Sequence, residues 1–349
     1  MYLSGVACVL PEQRIVNDEI LELVAHYSRG IYGGDIRSLL SSIDAKLRRI
    51  GIESRYWRSP KERPFALLEH ACDVALKQSK IARSEVDFVI YVGVDRGFAE
   101  PANACFVAKA LGMKGARTFD VVDACLGWAT ATEIAQGLFA SAPGAVALIA
   151  SAEFPMRPKG SVIPECFTIA AEAELDWKFP AFTLGEAASA SVLIGEGPEW
   201  RYIHESDADF ADLCTVSLGP PSDYAAPSSR FGSSESRGFR AYGNDLGRRI
   251  YRPAISVLRQ LIDQTGTPCV VFPHSVIGPY IDQVVERVSA GIEVFSTFSD
   301  TGNLATSSLP TSISIARERR ILNVDDVAIG WAAASGLKVS AFNIVQSLR

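Results

Sequence analysis

The sequence predicts an α/β protein built from two similar halves. Apolar, β-branched segments alternate with segments of helical periodicity along the chain, which is typical of a largely parallel sheet covered by helices. Residues 248–335 then repeat the element order of the first half, with 31 residues between Val94 and Cys125 and 29 between His274 and Asn303. An internal duplication explains this repeat and implies a pseudo-twofold axis. The length, 349 residues, suits about two domain-sized units.

The first half begins its regular pattern with a helix over "PFALLEHACDVALKQSK". After it come a strand, "VDFVIYVGV", a helix, "PANACFVAKALG", and a strand that leads to Cys125 and its own helix. The strand "GAVALIASA" follows that helix. The apolar face of the first helix is formed by Leu67, Leu68, Ala71, Val74 and Ala75.

The second half follows the same order. A helix over "RRIYRPAISVLRQLIDQTG" leads to the strand "PCVVFPHS", and "GPYIDQVVERVSA" and "IEVFSTFSD" form the next helix and strand. The turn "TGN" precedes a helix in "SSLPTSISIARERR" and the strand "DVAIGWAAAS". Aligning the halves sets Asn303 opposite Cys125 and predicts that these two turns meet at the centre of the molecule. Residues 153–182 are irregular, and residues 221–238, rich in Ser, Pro and Gly, predict a long surface connection.

Composition excludes several classes of protein. The net charge of −6 and the lack of a basic, aromatic stripe do not favour nucleic-acid binding. No apolar run reaches the roughly 20 residues of a membrane helix, and the N-terminal segment lacks the features of a signal peptide. Seven scattered cysteines without a CxxC pair predict neither a disulfide framework nor a zinc site. We therefore expect a cytoplasmic protein without a metal.

Three polar residues are candidates for a catalytic site. Cys125 stands where a buried strand turns into a helix, and free backbone N–H groups and the helix dipole favour a thiolate there. His274 alone of the four histidines follows a buried strand, at the end where α/β proteins place ligands. Asn303 lies in the turn "DTGNLA". Each also has a structural interpretation, as a packed thiol, a core histidine and a turn residue. A papain-like hydrolase uses the same residue types, but the duplicated α/β order does not suit one.

Six segments in order carry a resemblance to a known family: "LPEQRIVNDEI", "IGIESRYW", "DACLGW", "LGEAASASVLIG", "AYGNDLGRRIYRPAI" and "GNLATSSLP". Over nearly its whole length the chain resembles the β-ketoacyl-acyl carrier protein synthase III branch of the thiolase superfamily. The resemblance implies the thiolase fold, with two duplicated α/β halves packed as a five-layer αβαβα sandwich. We expect residues 1–199 to form the half that carries Cys125, and residues 200–349 the half that carries His274 and Asn303, the other two catalytic residues.

The resemblance and general chemistry imply one reaction scheme. The Cys125 thiolate takes an acyl group from a thioester, and backbone N–H groups of Cys125 and of the Ser335–Gly336 turn stabilise the oxyanion. His274 and Asn303 then donate hydrogen bonds to a malonyl thioester, which loses CO2 and condenses with the acyl group. This reaction belongs to fatty-acid or secondary-metabolite biosynthesis and needs no cofactor, since CoA or phosphopantetheine enters with the substrate.

The partners implied are acyl-CoA or acyl carrier protein thioesters and a second copy of the chain. Acyl carrier proteins are acidic, so Arg248, Arg249 and Arg252 are candidate docking residues; a merely solvated helix face is the alternative. We expect a homodimer with "PANACFVAKALG" near its interface, since an exposed apolar sheet edge is an aggregation hazard.

The departures from the family pattern leave alternatives open. The family's His-Gln-Ala-Asn-x-Arg motif reads "HSVIGPY" here, so Ile277 and Tyr280 stand where polar residues are usual. Leu126 replaces a small residue, residues 153–182 form a longer segment, and "GWAAASGLKVS" replaces a Gly-rich turn before Leu-Thr-Trp-Gly. One alternative is an acyltransferase that passes the acyl group to a hydroxyl, an amine or another small-molecule acceptor without decarboxylation. Another is a catalytically silent subunit, against which the intact Cys–His–Asn set argues.

Overall fold

The strands and helices occur in the order that the duplication predicts. The computed structural model describes the chain except residues 222–223, 227, 232–237, 275–277, 290, 324–325 and 348–349, and describes 278–280 and 282 by their backbone alone. The strands are β1 (Tyr2–Val9), β2 (Gln13–Val16), β3 (Ser54–Trp57), β4 (Phe88–Val92), β5 (Arg117–Val121), β6 (Val146–Glu153), β7 (Ala187–Ile194), β8 (Tyr202–Ser206), β9 (Cys214–Ser217), β10 (Gly238–Ala241), β11 (Val270–His274), β12 (Glu293–Val294), β13 (Val327–Ala334) and β14 (Lys338–Val345). The helices are α1 (Asn17–Ser28), α2 (Ile36–Arg49), α3 (Pro64–Ser79), α4 (Asn103–Ala110), α5 (Gly127–Ser141), α6 (Leu175–Lys178), α7 (Gly243–Thr265), α8 (Gly278–Val288), α9 (Phe298–Thr301) and α10 (Ser308–Glu318).

Two five-stranded sheets of the same topology lie within the described part of the chain. Their orders are β1-β7-β6-β4-β5 and β8-β14-β13-β11-β12. When the strands of each sheet are numbered along the chain, both orders read 1-5-4-2-3. Both sheets also have two antiparallel pairs followed by two parallel pairs. The predicted duplication is confirmed. The predicted boundary between residues 199 and 200 falls between β7 and β8, and as a domain limit it stays a prediction.

Helices separate and cover the two sheets. α3 and α4 pack on the outer face of the first sheet, and α7 and α8 pack on the outer face of the second. α5 and α10 lie between the sheets, where Trp128 and Ile313 share a core with Ile149 of the first sheet and Phe272 of the second. The layers therefore run helix, sheet, helix, sheet, helix, and the predicted αβαβα sandwich is confirmed.

The central strands allow close packing because their side chains are small. β6 and β7 are buried along their whole length and consist largely of Ala, Ser and Val. Beside them, a Cβ atom on Gly5 of β1 would lie 2.1 Å from the carbonyl oxygen of Ala75 in α3. Only glycine, which lacks a Cβ atom, fits at this position, and its small size lets α3 pack directly on the sheet.

Residues 153–182 form a packed cap rather than an open loop. The segment contains short 3₁₀ helices at 164–166, 172–174 and 179–183 besides α6. Its Phe167 and Phe182 stack at 5.6 Å and pack with Ile43 and Leu47 of α2. Ser28 of α1 donates to the Phe167 carbonyl oxygen (3.2 Å) and accepts from the Ile169 N–H (2.9 Å). Half of the predicted connection over 221–238 lies outside the described residues.

Candidate active site

Cys125 lies in a strained turn between β5 and α5. Residues 124–126 form a 3₁₀ turn, and Ala124 has φ +45°, in the left-handed region. This conformation costs a non-glycine residue about 1–2 kcal/mol, so the surrounding contacts must hold it. One of them is a 2.5 Å hydrogen bond that Thr306 Oγ1 donates to the Ala124 carbonyl oxygen. Strain of this kind is typical of functional turns.

The second half carries a matching turn. Ala305 has φ +47°, residues 305–307 form a 3₁₀ turn, and α10 follows. The backbone therefore matches Thr306 with Cys125. The predicted alignment of Asn303 with Cys125 is wrong by three residues, because sequence spacing alone does not show where the strained turn begins. The predicted meeting of the two turns does occur, since a Cβ atom on Gly127 would lie 2.9 Å from Thr306 Oγ1.

Asn303 is buried and firmly held just before the second turn. Its N–H donates to the Thr183 carbonyl oxygen (2.8 Å), and its own carbonyl oxygen accepts from the Gly185 N–H (3.0 Å). Its side-chain Oδ1 accepts from the Ala305 N–H (2.9 Å). This bond to Oδ1 fixes the orientation of the side-chain amide, whose nitrogen Nδ2 is the group that can donate to a substrate.

His274 ends β11 beside the same turns. It lies opposite Ala332 of β13, and β13 packs against residues 124–126. The side chain is 8% exposed, and its Nδ1 has no hydrogen-bond partner within the described residues. Burial lowers the pKa of His274 to about 4. The imidazole is therefore neutral at pH 7, and it can donate a hydrogen bond without delivering a proton.

The Cys125 thiol has an environment that the sequence did not predict. Burial raises its pKa well above the ordinary value, and negative charge on Cys214 and Glu153 would raise it further. A backbone N–H at the helix start acts in the opposite direction but is outweighed. The expected thiolate is therefore corrected to a thiol in the free protein. The position favours the anion, but the loss of water around the sulfur disfavours it more.

Glu153, at the end of β6, is a functional candidate that sequence analysis missed. Its two carboxylate oxygens each accept a backbone N–H at 3.0 Å, from Val94 and from Asp95. The Thr306 backbone N–H also donates to it, and burial raises its pKa to about 7. The carboxyl group thus joins the end of β4 to the second turn. In the sequence, the signal that could have identified Glu153 is an acidic residue at the end of an otherwise apolar strand.

The candidate oxyanion residues Ser335 and Gly336 lie in the hairpin turn between β13 and β14. Gly336 has φ +81°. Both strands of the hairpin pack against residues 124–126, so the hairpin lies close to the Cys125 turn. The oxyanion role of these N–H groups stays a prediction.

The candidate docking residues lie on an exposed face of α7. Arg248, Arg249 and Arg252 are all exposed. The Arg248 guanidinium is 3.8 Å from Asp245, and that of Arg249 lies 3.5 Å from the centre of the Phe210 ring. Their role in carrier docking stays a prediction.

Beyond His274, the "HSVIGPY" segment is not fully described in the structure. Ile277 lies outside the described residues, and nothing is described of the Tyr280 side chain. The described residues include no His, Cys, Asp and Glu cluster that could hold a metal ion. Among the helices of that same part of the chain, none combines the length and apolarity needed to cross a membrane.

The duplicated sheets, the five layers and the paired turns define a thiolase-fold protein. Comparisons with known proteins agree, although no protein-family model matches the chain. The β-ketoacyl-[acyl-carrier-protein] synthase III of Nitratidesulfovibrio vulgaris strain DP4 is 26% identical over 304 residues, covering 83% of this chain and 86% of that protein. The synthase III of Thioalkalivibrio sulfidiphilus is 22% identical over 334 residues and 91% of each chain.

Solved structures show the same fold. A variant of Xanthomonas campestris OleA, solved with bound lauric acid and lauroyl-CoA, superposes with a TM-score of 0.80 at 20% identity, over 99% of this chain and 98% of that one. The 3-oxoacyl-[acyl-carrier-protein] synthase III of Aquifex aeolicus gives 0.78 at 18% identity, over 98% of each chain. The predicted resemblance to the synthase III branch of the thiolase superfamily is confirmed.

Proposed function

We propose that this chain is an acyl-thioester condensing enzyme that loads an acyl group on Cys125 and condenses it with a malonyl thioester. The curated relatives and structural neighbours support thioester condensation as the general activity. The observation that carries the specific reaction is a pair of neutral donors beside the strained Cys125 turn. These donors are the buried His274 imidazole, whose Nδ1 has no partner in the described part of the chain, and the oriented Asn303 amide.

In the first step the Cys125 sulfur attacks the thioester carbon. The C–S bond to CoA or phosphopantetheine breaks, and the proton of the Cys125 thiol ends on the departing thiol. Backbone N–H groups of Cys125 and of the Ser335–Gly336 turn stabilise the oxyanion. A preorganised donor of this kind contributes roughly 3–4 kcal/mol.

In the second step His274 and Asn303 donate to the carbonyl oxygen of the malonyl thioester. The bond to the carboxylate breaks, CO2 leaves, and its electron pair forms an enolate. The enolate carbon then attacks the acyl carbon, the C–S bond to Cys125 breaks as the β-ketoacyl product forms, and the released thiolate takes a proton from solvent to restore the thiol. A general base works best with a pKa near the working pH. Because the pKa of His274 is lowered to about 4, a donor role suits it better than the base role required by the acyltransferase alternative.

The proposal includes the substrate carriers and the assembly. Acyl-CoA or acyl carrier protein thioesters supply the acyl group, and Arg248, Arg249 and Arg252 offer an exposed basic face for the acidic carrier. No metal or redox cofactor takes part in either step. We further propose a cytoplasmic homodimer working in fatty-acid or secondary-metabolite biosynthesis. Lauroyl-CoA is the first substrate to test, since the OleA structure contains it.

Intact-protein mass spectrometry and release of labelled CO2 test the proposal together. The wild-type protein should gain the mass of one acyl group from a panel of acyl thioesters, and Cys125→Ala should gain none. Cys269→Ala, at an exposed cysteine, is the matched control and should acylate normally. His274→Ala and Asn303→Ala should still form acyl-Cys125 but should no longer release CO2 from malonyl-CoA. Acyl transfer to a hydroxyl or amine, or condensation of two acyl thioesters, without CO2 release would refute decarboxylation.

A further inference from the structure

An ion pair joins the nucleophile turn to the hairpin turn across 215 residues of sequence. Lys338 Nζ lies 2.5 Å from Asp123 Oδ1. The other carboxylate oxygen, Oδ2, accepts from Thr130 Oγ1 at 2.6 Å. The Asp123 side chain is only 14% exposed, and that of Lys338 is 44% exposed. The pair is thus partly shielded from water and held at one end by a second hydrogen bond, so it is more than a loose surface contact.

Each end of the pair is next to a turn of unusual backbone conformation. Asp123 immediately precedes Ala124 and Cys125. Lys338 immediately follows residues 335–337, and its backbone pairs with Ala334 to close the hairpin. Leu337, with φ +45°, is held from the other side because its carbonyl oxygen accepts from the Asp207 N–H at 2.9 Å.

We propose that Asp123 and Lys338 are positioning residues, which hold the 335–337 turn against the Cys125 turn so that backbone N–H groups from both converge on the oxyanion. This inference rests on the proposed function. An oxyanion hole assembled from two distant segments depends on long-range contacts for its geometry, and a misplacement of about 1 Å can cost 10²-fold in rate.

Lys338→Met should slow the acylation of Cys125 about 10- to 100-fold at saturating acyl thioester, with KM changed much less. The loss is smaller than the 10²–10³-fold that follows removal of an oxyanion donor, because the N–H groups remain. Lys338→Arg keeps the charge and should stay within about threefold of wild type. Should Lys338→Met not fold, Lys338→Gln serves the same comparison.

A charge effect on the thiol must be separated from positioning. The Asp123 charge raises the pKa of Cys125, so loss of Lys338 could act on the sulfur itself. Alkylation of Cys125 by iodoacetamide forms no oxyanion and reports on the sulfur alone. The neutral double variant Asp123→Asn with Lys338→Met removes both charges and the link between the turns. Positioning predicts near-normal alkylation in Lys338→Met and slow acylation in both variants.

The outcomes separate the two proposals. Absence of acylation of the wild-type protein by the whole panel would overturn the proposed function and this inference with it. Normal acylation of the wild type and of Lys338→Met would overturn the positioning role alone. If Lys338→Met lost acylation and alkylation equally, or if the double variant recovered acylation, a charge effect on the thiol would explain the loss and the positioning role would be refuted. Arg83→Met breaks the Arg83–Asp73 pair (2.6 Å) elsewhere on the molecule and should change neither rate.

Discussion

Cys125 is subject to two opposing effects, and their balance determines how the residue reacts. The start of α5 offers N–H groups to an anion, whereas burial removes the water that would solvate it. Burial dominates and raises the pKa of the thiol. We therefore expect Cys125 of the free protein to react slowly with alkylating reagents near pH 7.

The pH dependence of alkylation measures this balance. The rate of Cys125 alkylation by iodoacetamide should rise about tenfold per pH unit between pH 7 and 9, since only the thiolate reacts. Peptide mapping assigns the modified cysteine, and Cys125→Ala removes the signal. A rate that levels off below pH 8 would show a lowered pKa and restore the thiolate that the sequence predicts.

His274 should make the fold less stable in acid. Its pKa in the folded protein is about 4, below the ordinary 6.5 that it regains on unfolding. The unfolded chain therefore takes up a proton first as the pH falls from 6.5 to 4, and the contribution to stability is lost over that window. At pH 5 the loss is about 2 kcal/mol.

Urea unfolding of wild type and His274→Asn at pH 7 and pH 5 measures this contribution. The difference in unfolding free energy between the two proteins should shift by about 2 kcal/mol in favour of the variant at pH 5. His26→Asn, at an exposed position of α1, controls for the exchange of residue type. An unchanged difference would mean that His274 titrates normally in the fold.

At the scale of elements, the paired turns hold each other in place. The second turn is fixed to the first sheet, because Ser307 Oγ donates to Ser151 Oγ in β6 and accepts from Ser189 Oγ in β7, both at 3.0 Å. Thr306 then reaches across to the Ala124 carbonyl oxygen. The strained Ala124 conformation therefore depends on a hydrogen bond from the other half of the molecule.

Thr306→Val tests that dependence. Valine has nearly the same shape but cannot donate, so the Ala124 carbonyl oxygen loses a partner and the unfolding free energy should fall by about 1–3 kcal/mol. Acylation of Cys125 should slow as the turn relaxes. Thr168→Val removes an exposed hydrogen bond to the Pro164 carbonyl oxygen (3.2 Å) and is the control. Equal effects of the two variants would show that the cross-half bond has no special role.

The sequence was most informative about elements and least informative about contacts between distant residues. Periodicity identified the elements from α3 to β6 and from α7 to β13 and their repeat, because each is set by neighbours in sequence. It did not identify β1, β8 and β14, which complete the two sheets. The duplicated order then predicted that the turn after Asn303 meets the Cys125 turn, although it aligned Asn303 itself three residues out of step. The true partner of Cys125 in the repeat, Thr306, depends on where the backbone enters the left-handed region. The Asp123–Lys338 pair spans 215 residues, and the thiol pKa depends on burial by the complete fold.

At the scale of the whole molecule, one edge of the first sheet has no neighbouring strand within the described part of the chain. β5 is the last strand of that sheet, and the chain that follows it exposes Val122 to 60%. Nearby, Phe98 is 49% exposed and stacks at 4.3 Å on Phe106 of α4. These rings line an apolar cavity of about 400 Å³ that also contains Phe65. Apolar surface beside an unpaired strand edge is typical of a protein interface.

A charge placed at this edge should separate the proposed homodimer. We expect wild type to sediment as a dimer at micromolar concentration, and Val122→Glu to sediment largely as a monomer, because a buried carboxylate without a partner is strongly unfavourable. Leu218→Glu puts the same charge on a residue that is 95% exposed on the second half, and it should stay dimeric. A wild-type monomer, or a Val122→Glu dimer as tight as the Leu218→Glu dimer, would place the interface elsewhere or exclude it. Acylation of the Val122→Glu monomer at the wild-type rate would further show that one copy of the chain holds the complete nucleophile site.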